Sequence, residues 1–263
     1  MRVGAVNYLN SKPLIEGFHR LAPGADLRCD LPSRLADSLA EGRFDAALIP
    51  TFEVLANPAY RIVSDACVAS DGAVSSVKVY FRTRPGECRT LALDEGSRTS
   101  AALSRVLLHR RFGVDPVREP LAIGAGLADS TADAVLLIGD RAMHEPPVEV
   151  ARQFVEVWDL GEEWLRDTGL PFVFACWAAR TELNTDVLAV QLSACRDLGE
   201  KRFAEIAASE APLLGLTVEH AERYLRECLR FRLGPRERRS IAAFRSACLD
   251  AKLLEPFEPI AAG

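Results

Sequence analysis

The first third of the chain alternates short apolar runs with segments of helical periodicity. Apolar runs of strand length lie at Arg2–Val6, Ala25–Cys29 and Phe44–Ile49. The pattern between them predicts helices at Lys12–Leu21 and from near Pro32 to a stop at Gly42. A strand–helix–strand–helix–strand order predicts parallel strands joined by right-handed crossovers.

A β-rich stretch follows, and the alternation then restarts. Val74–Phe81 is the clearest strand of this stretch. Beyond it, further strands are predicted at Leu91–Leu93, Ala134–Ile138, Phe154–Trp158 and Phe172–Cys176, with a helix at Ser97–Phe112. After Ala178 the pattern is almost wholly helical to about Leu254. Two α/β units followed by helices predict two lobes with a cleft between them.

Composition and charge agree with such a fold and narrow the possible functions. The 263 residues are 49% hydrophobic and 26% charged, enough for two α/β lobes with substantial cores. The net charge of -5 argues against a nucleic-acid partner, which usually needs a basic face. No apolar segment approaches the ~20 residues of a membrane span, and no signal-peptide pattern is present. We therefore expect a cytoplasmic protein without nucleic-acid or membrane partners.

The cysteines and histidines do not predict a metal or redox centre. The seven cysteines are scattered without a CxxC pair, and the four histidines lack metal-ligand spacing. No GxGxxG or GxxxxGK[ST] nucleotide motif occurs. We expect free thiols, no metal site and no cofactor. The remaining classes are an enzyme that works by positioning and hydrogen bonding, and a plain binding protein.

The segment Asn7–Leu14 is the first candidate for ligand binding. It follows the first strand, at the sheet edge where α/β proteins place ligands. Asn10 or Ser11 can cap the predicted helix, and the free N–H groups of its first turn suit an anion. Capping alone would also explain these residue types, so both interpretations stay open.

Ser97, Arg98, Thr99 and Ser100 open the helix of the second unit in the same way. Their hydroxyls, the guanidinium and the helix-start amides suit a carboxylate, although an N-cap beside a solvent-facing Arg fits equally well. Two donor-rich helix starts on two lobes fit a ligand that is anionic at both ends.

Other polar residues lie at strands and have two interpretations each. Ser75 and Ser76 are predicted inside a strand, where serines also serve as cross-strand hydrogen-bonding residues. Gly139 and Asp140 end a buried strand, and Asp140 either faces a ligand or caps the next helix. Asp45 and Glu53 flank another strand, as candidate general bases or as solvated loop charges.

Several segments occur together in a diagnostic order. They are Val6–Leu14, Arg43–Pro50 with Glu53, Leu91–Asp94 with Ser97–Ser100, Leu137–Asp140, Asp159–Trp164 and Thr168–Phe174. In this combination they resemble the chorismate dehydratases of the futalosine route to menaquinone. The Tyr-Leu-Asn-Ser-Lys-Pro run at 8–13 favours that family over dihydroxynaphthoate synthase, the sister enzyme with the same fold.

The resemblance implies an α/β, type 2 periplasmic-binding-protein-like fold, with two lobes, a central cleft and a helical C-terminal tail. Lobe 1 would comprise residues 1–82 and 178–263, and lobe 2 residues 83–177. The chain would cross between lobes near Tyr80–Glu87 and near Phe174–Arg180. The implied reaction eliminates water from chorismate, a small anionic substrate, to give 3-[(1-carboxyvinyl)oxy]benzoate without a metal or cofactor.

The resemblance also sharpens the candidate site. Asn10 is expected to be catalytic, because an amide can donate and accept at the reacting region. The expected substrate-binding residues are Asn7, Ser11, Ser75, Ser76, Ser97, Arg98, Thr99, Ser100, Gly139 and Asp140. No motif supplies an obvious base, so the proton is expected to go either to the enolpyruvyl carboxylate of the substrate or to a side chain such as Asp45, Glu53 or Asp140. A transporter's solute-binding subunit, a ligand-sensing domain and dihydroxynaphthoate synthase are the alternatives.

Overall fold

The structure is a computed structural model, and it describes residues 1–256. The strands are β1 (Arg2–Val6), β2 (Asp26–Asp30), β3 (Ala46–Pro50), β4 (Tyr60–Ser70), β5 (Val77–Phe81), β6 (Thr90–Asp94), β7 (Val117–Leu121), β8 (Ala134–Ile138), β9 (Glu156–Asp159), β10 (Phe172–Arg180) and β11 (Arg230–Arg232). The α-helices are α1 (Phe18–Leu21), α2 (Pro32–Ala40), α3 (Thr51–Ala56), α4 (Thr99–Phe112), α5 (Val148–Ala151), α6 (Leu160–Thr168), α7 (Asp186–Gly199), α8 (Phe203–Leu214), α9 (Val218–Arg223) and α10 (Pro235–Asp250).

Two separate sheets form the two lobes. The first sheet has the order β11-β4-β10-β3-β1-β2, and the second has the order β7-β6-β8-β5-β9. In the first, β1 pairs in parallel with both β2 and β3, which confirms the predicted βαβαβ unit. In the second, β6 pairs in parallel with β7 and β8. Both central strands β3 and β8 are fully buried, as their continuous apolar runs predict.

The chain changes sheets earlier than the sequence predicts. β5 is an antiparallel member of the second sheet, between β8 and β9, and β10 lies between β3 and β4 of the first sheet. The crossings therefore fall between Ser70 and Val77 and between Asp159 and Phe172. The predicted crossings near 80–87 and 174–180 are too late. A division at 82/83 would assign β5 to lobe 1, because an apolar run does not reveal which sheet it joins.

Local backbone geometry corrects two predicted elements. The helix predicted at Lys12–Leu21 is a 3₁₀ segment at Leu9–Ile15 followed by the short α1. Gly17 breaks it with a φ of 67°, a left-handed conformation that glycine adopts without a Cβ penalty. Ser75 and Ser76 precede β5 instead of lying inside it, and Ser75 has a φ of 63°.

The C-terminal helices pack back onto the first lobe, as predicted, with one additional strand, β11. α7 lies so close to the 3₁₀ segment that a Cβ on Gly199 would be 2.1 Å from the Pro13 carbonyl oxygen. α10 covers β10 through an edge-to-face cluster of Trp164, Phe172 and Phe244. The tail therefore supports the segment that follows β1. Within residues 1–256, no helix is long and apolar enough to cross a membrane.

Candidate active site

A pocket lies between the two lobes, where the ends of β1, β3, β6 and β8 meet the start of α4. The space not filled by atoms there is about 540 Å³, part of which is open to solvent. It is lined by Val6, Tyr8, Asn10, Pro32, Pro50, Val68, Val74, Ser76, Val77, Gly96, Ser97, Arg98, Thr99, Ser100, Ile138, Gly139, Phe174 and Ala175. The carboxyl ends of parallel strands bring these residues together, as expected for ligand sites in α/β proteins.

The lining combines apolar walls with neutral hydrogen-bonding groups. Among the described residues that form it, Arg98 is the one charged side chain, and no Asp, Glu, His or Lys takes part. The polar side chains are hydroxyls and one amide, that of Asn10. The pocket can therefore hold and orient a ligand by hydrogen bonds, but its walls contribute no carboxylate or imidazole base.

Asn10 is placed in the pocket by the 3₁₀ segment that follows β1. The predicted capping alternative for Asn10 is wrong, because the residue before this segment is Tyr8 and no side chain caps it. The Asn10 amide instead lies beside the hydroxyl of Tyr224, and the hydrogen bond between the two side chains lowers the tyrosine pKa. That hydroxyl donates to Ser76 Oγ at 2.8 Å. Tyr224 comes from the C-terminal tail, and no local sequence pattern predicted it.

The start of α4 presents several donors to the pocket. Ser97, Thr99 and Ser100 line it together with Arg98, as predicted. The first N–H groups of any helix lack acceptors within the helix, so this end suits an anion. Thr99 Oγ1 already accepts a hydrogen bond from Phe52 N at 3.1 Å, across the cleft. The hydroxyls of Ser97 and Ser100 therefore join the helix-start amides as the principal donors here.

Arg98 is paired with carboxylates of the opposite lobe. Its guanidinium lies 2.6 Å from Asp37 Oδ1 and 3.2 Å from Glu53 Oε1. Because Asp37 and Glu53 belong to α2 and α3, these ion pairs connect the two lobes. The solvent-facing alternative for Arg98 is wrong. Two carboxylates already balance its charge, so an anionic ligand in the pocket meets little uncompensated positive charge.

Gly139 forms the floor of the pocket beneath Tyr8. A Cβ at position 139 would lie 2.8 Å from the Tyr8 ring, and the φ of 74° also favours glycine. Gly139 N donates to the Ser76 carbonyl oxygen at 2.9 Å. Burial, with the nearby charge of Asp94, raises the pKa of Tyr8 to about 12, so its hydroxyl stays protonated and can donate. Tyr8 is a pocket residue that the predicted site omitted.

Asp140 lies beside the pocket and connects the lobes instead of lining the cavity. Its Oδ1 accepts a hydrogen bond from Leu9 N at 3.1 Å, from the segment after β1. Burial raises the pKa of Asp140 to about 6, against the lowering effects of the Leu9 N–H group and of Lys12. The structure thus brings Asp140 close to the site but directs its carboxylate to the backbone.

Besides Asp140, three predicted binding residues are outside the pocket lining. Asn7 is exposed, and its backbone N–H donates to the Asp30 carbonyl oxygen. Ser11 is fully buried, and its hydroxyl bonds the carbonyl oxygens of Val6 and Tyr8. Ser75 faces Cys228, with its Oγ 3.5 Å from the sulfur. The hydroxyls of Ser11 and Ser75 are therefore directed to the protein itself.

The candidate bases flanking β3 are occupied elsewhere. Asp45 accepts hydrogen bonds from the backbone N–H and the guanidinium of Arg2 at 2.8 and 2.6 Å, which lower its pKa. It stands at the end of β3 opposite the pocket. Glu53 is the partner of Arg98. Neither Asp45 nor Glu53 lines the cavity.

The sequence of this chain is similar to those of proteins of known function. The model of the family described as menaquinone biosynthesis matches residues 1–250. The chain is 32% identical over 277 residues to the chorismate dehydratase of Thermus thermophilus, covering 98% of this chain and 97% of that protein.

Solved structures share the architecture at low sequence identity. A protein of Archaeoglobus fulgidus is 15% identical with a TM-score of 0.68, covering 96% of this chain and 98% of that one. The alkanesulfonate-binding protein SsuA of Xanthomonas axonopodis pv. citri, bound to MOPS, is 16% identical with a TM-score of 0.63, at 97% and 94% coverage. A Candida albicans protein with the generic periplasmic binding protein fold gives a TM-score of 0.64 at 14% identity, with 98% and 92% coverage. The predicted periplasmic-binding-protein-like fold is confirmed.

Proposed function

This chain belongs to the menaquinone biosynthesis family, and we propose that it is a chorismate dehydratase. The observation that carries the proposal is the pairing of a full-length match to such an enzyme with a pocket whose described lining offers hydrogen-bond donors but no carboxylate or imidazole. The enzyme would eliminate water from chorismate to give 3-[(1-carboxyvinyl)oxy]benzoate. It would thus be a carbon–oxygen lyase, acting in the cytoplasm on a small anionic substrate.

The chemistry of this reaction fits the residues that line the pocket. Chorismate loses the hydroxyl of C4 and the proton of C3, and its ring becomes aromatic. No electrons are exchanged with an external acceptor, so the reaction needs no redox partner. The protein must hold two carboxylates, keep the ring in one conformation and assist the departing hydroxide. Valine, isoleucine and phenylalanine side chains of the lining suit the ring, and the donors suit the carboxylates.

The binding mode follows from the positions of the donors. The start of α4, with Ser97 and Ser100, would hold one carboxylate through hydroxyls and helix-start amides. Asn10 and Ser76, on the facing wall, would contact the reacting region. A partly apolar pocket strengthens these hydrogen bonds, because less water competes for them than on an open surface.

The proton on C3 would be taken by the substrate's own enolpyruvyl carboxylate. The described pocket lining contains no Asp, Glu or His, and Asp45, Glu53 and Asp140 are each engaged outside it. The enolpyruvyl ether oxygen is bonded to C3, so its carboxylate can reach that proton intramolecularly. The protein then contributes geometry and hydrogen bonding.

Turnover of chorismate is the direct test. Incubation of the purified protein with chorismate should yield an aromatic product with the mass of chorismate minus one water. Chromatography coupled to mass spectrometry detects this product. Binding of chorismate without any product would instead favour a solute-binding protein, the alternative that the SsuA likeness in fold keeps open. Conversion of a naphthalenoid precursor, but not of chorismate, would favour dihydroxynaphthoate synthase.

Asn10→Asp should lower kcat by about 100-fold or more, because it keeps the shape but replaces the amide N–H donor with a charge facing a dianion. KM should change much less if the interaction forms mainly in the transition state. Asn7→Asp is the matched control, since Asn7 is exposed outside the lining and undergoes the same chemical change. Near-normal turnover of Asn10→Asp with an unchanged Tm would remove Asn10 from catalysis.

A further inference from the structure

We propose that Tyr224 is a positioning residue that fixes the orientation of the Asn10 amide. The inference rests on the proposed function, because Asn10 is its catalytic group. Tyr224 is 2% exposed and is absent from the pocket lining, so it would act through its neighbours and not on the substrate. Its hydroxyl lies between Ser76 Oγ, at 2.8 Å, and the Asn10 side chain.

The hydrogen-bond directions determine how the amide is turned. A tyrosine hydroxyl has one hydrogen to donate, and in the structure Tyr224 donates it to Ser76 Oγ. Asn10 must then offer an N–H to the tyrosine oxygen, because its own carbonyl oxygen would meet a second acceptor there. The second N–H and the carbonyl oxygen of Asn10 remain for the pocket.

The surroundings of Tyr224 hold this arrangement rigid. Tyr224 begins a single π-helical turn at Tyr224–Cys228, a geometry that is frequent at functional sites. The same turn contacts the segment before β5 a second time, since Cys228 Sγ lies 3.5 Å from Ser75 Oγ. Two adjacent serines therefore fix the two ends of the turn. The C-terminal tail, which packs on the first lobe, thereby becomes part of the site.

Because it is buried, the Tyr224 hydroxyl does not act as an acid or base. Burial raises the pKa of the tyrosine well above its ordinary value, and its hydrogen bonds with Ser76 and Asn10 offset only part of this effect. The hydroxyl stays protonated throughout the pH range of an assay. A positioning role therefore predicts a lower kcat with an unchanged shape of the pH profile, whereas a general acid would alter that shape.

Tyr224→Phe tests the role, because it removes the hydroxyl and keeps the ring. We expect kcat to fall about tenfold, KM to stay within about twofold, and the pH profile to keep its shape. Tyr80→Phe is the matched control. Tyr80 is 4% exposed, and its ring packs on Phe154 in the smaller apolar cluster of the second lobe, away from the pocket. Tyr80→Phe should keep wild-type kcat.

A double variant separates positioning from a general structural effect. If Tyr224 acts through Asn10, adding Tyr224→Phe to Asn10→Ala should lower kcat by less than about twofold further. A full tenfold additional loss, or wild-type kcat in Tyr224→Phe itself, would overturn the inference. Should Tyr224→Phe fail to fold, Tyr224→Met, which fills much of the same buried space without a hydroxyl, must show the same dependence on Asn10. Wild-type protein that forms no product from chorismate would instead refute the proposed function.

Discussion

The hydrogen bond from Leu9 N to the Asp140 carboxylate joins the two lobes beside the pocket. Because this carboxylate is buried, we predict that it makes the free energy of unfolding depend on pH. Asp140 follows β8 of the second sheet, and Leu9 follows β1 of the first. Burial raises the pKa of the carboxyl from 3.8 to about 6. Asp140→Asn keeps an oxygen acceptor for Leu9 N but cannot ionise.

The sign and size follow from proton linkage. The folded protein holds the Asp140 proton more tightly than the unfolded chain, so this group favours folding most below about pH 4. That contribution is lost as the pH rises through about 6, where the buried carboxyl ionises. A pKa that is higher by roughly two units in the folded protein changes the free energy of unfolding by about 3 kcal/mol between low and high pH. Asp140→Asn should therefore match the wild type near pH 4 and exceed its free energy of unfolding by up to about 3 kcal/mol at pH 7.5.

Urea unfolding at a series of pH values between 4 and 8 measures this difference. Asp45→Asn is a control of opposite sign, because the hydrogen bonds from Arg2 lower the Asp45 pKa. Its stabilising contribution is present above the unfolded pKa and lost on acidification, so Asp45→Asn should be less stable than the wild type near neutral pH. If Asp140→Asn gains no stability between pH 5 and 7.5, the carboxyl is not buried as the structure places it.

Two further substitutions test the pocket itself. Arg98→Ala should raise the KM for chorismate about tenfold or more, because it leaves the charges of Asp37 and Glu53 uncompensated beside the pocket, where they repel a dianion. An unchanged KM would exclude this role of Arg98 in binding. Gly139→Ala should lower both stability and kcat, since its Cβ would press on the Tyr8 ring at 2.8 Å. Gly113→Ala is the control, because Gly113 has a similar φ of 69° but open space around it. This variant measures only the backbone strain, which costs about 1 kcal/mol. An equal loss of stability at both positions would refute the Tyr8 contact.

The first βαβαβ unit was predictable because its signals are local. Continuous apolar runs mark β1 and β3, and Pro32 with Gly42 marks both ends of the helix between them. The carboxyl-edge rule then places Asn10 and the start of α4 at a shared cleft, as the structure shows.

Errors arose where a distant partner decides the geometry. Ser75 has a left-handed backbone because the N–H groups of Val74 and Ser75 both bond the Asp159 carboxylate, at 2.8 and 2.6 Å. Nothing between residues 74 and 81 reveals this partner, so the apolar pattern extended the strand too far. Tyr224 was missed for the same reason, because its partner Ser76 lies 148 positions away in the sequence.

The electrostatics of the pocket suit the proposed use of a substrate carboxylate as the base. Arg98 is balanced by Asp37 and Glu53, and the other polar side chains of the described lining are neutral. A dianion that enters exchanges water for hydroxyl and amide donors and apolar walls. Partial desolvation raises the pKa of a carboxylate that receives few hydrogen bonds and thereby makes it more basic. If the start of α4 satisfies the ring carboxylate, the enolpyruvyl carboxylate is left as the strongest base near C3. A cationic or carboxylate-lined pocket would weaken that base or repel it, so the neutral lining is itself the catalytic device of the proposed dehydration.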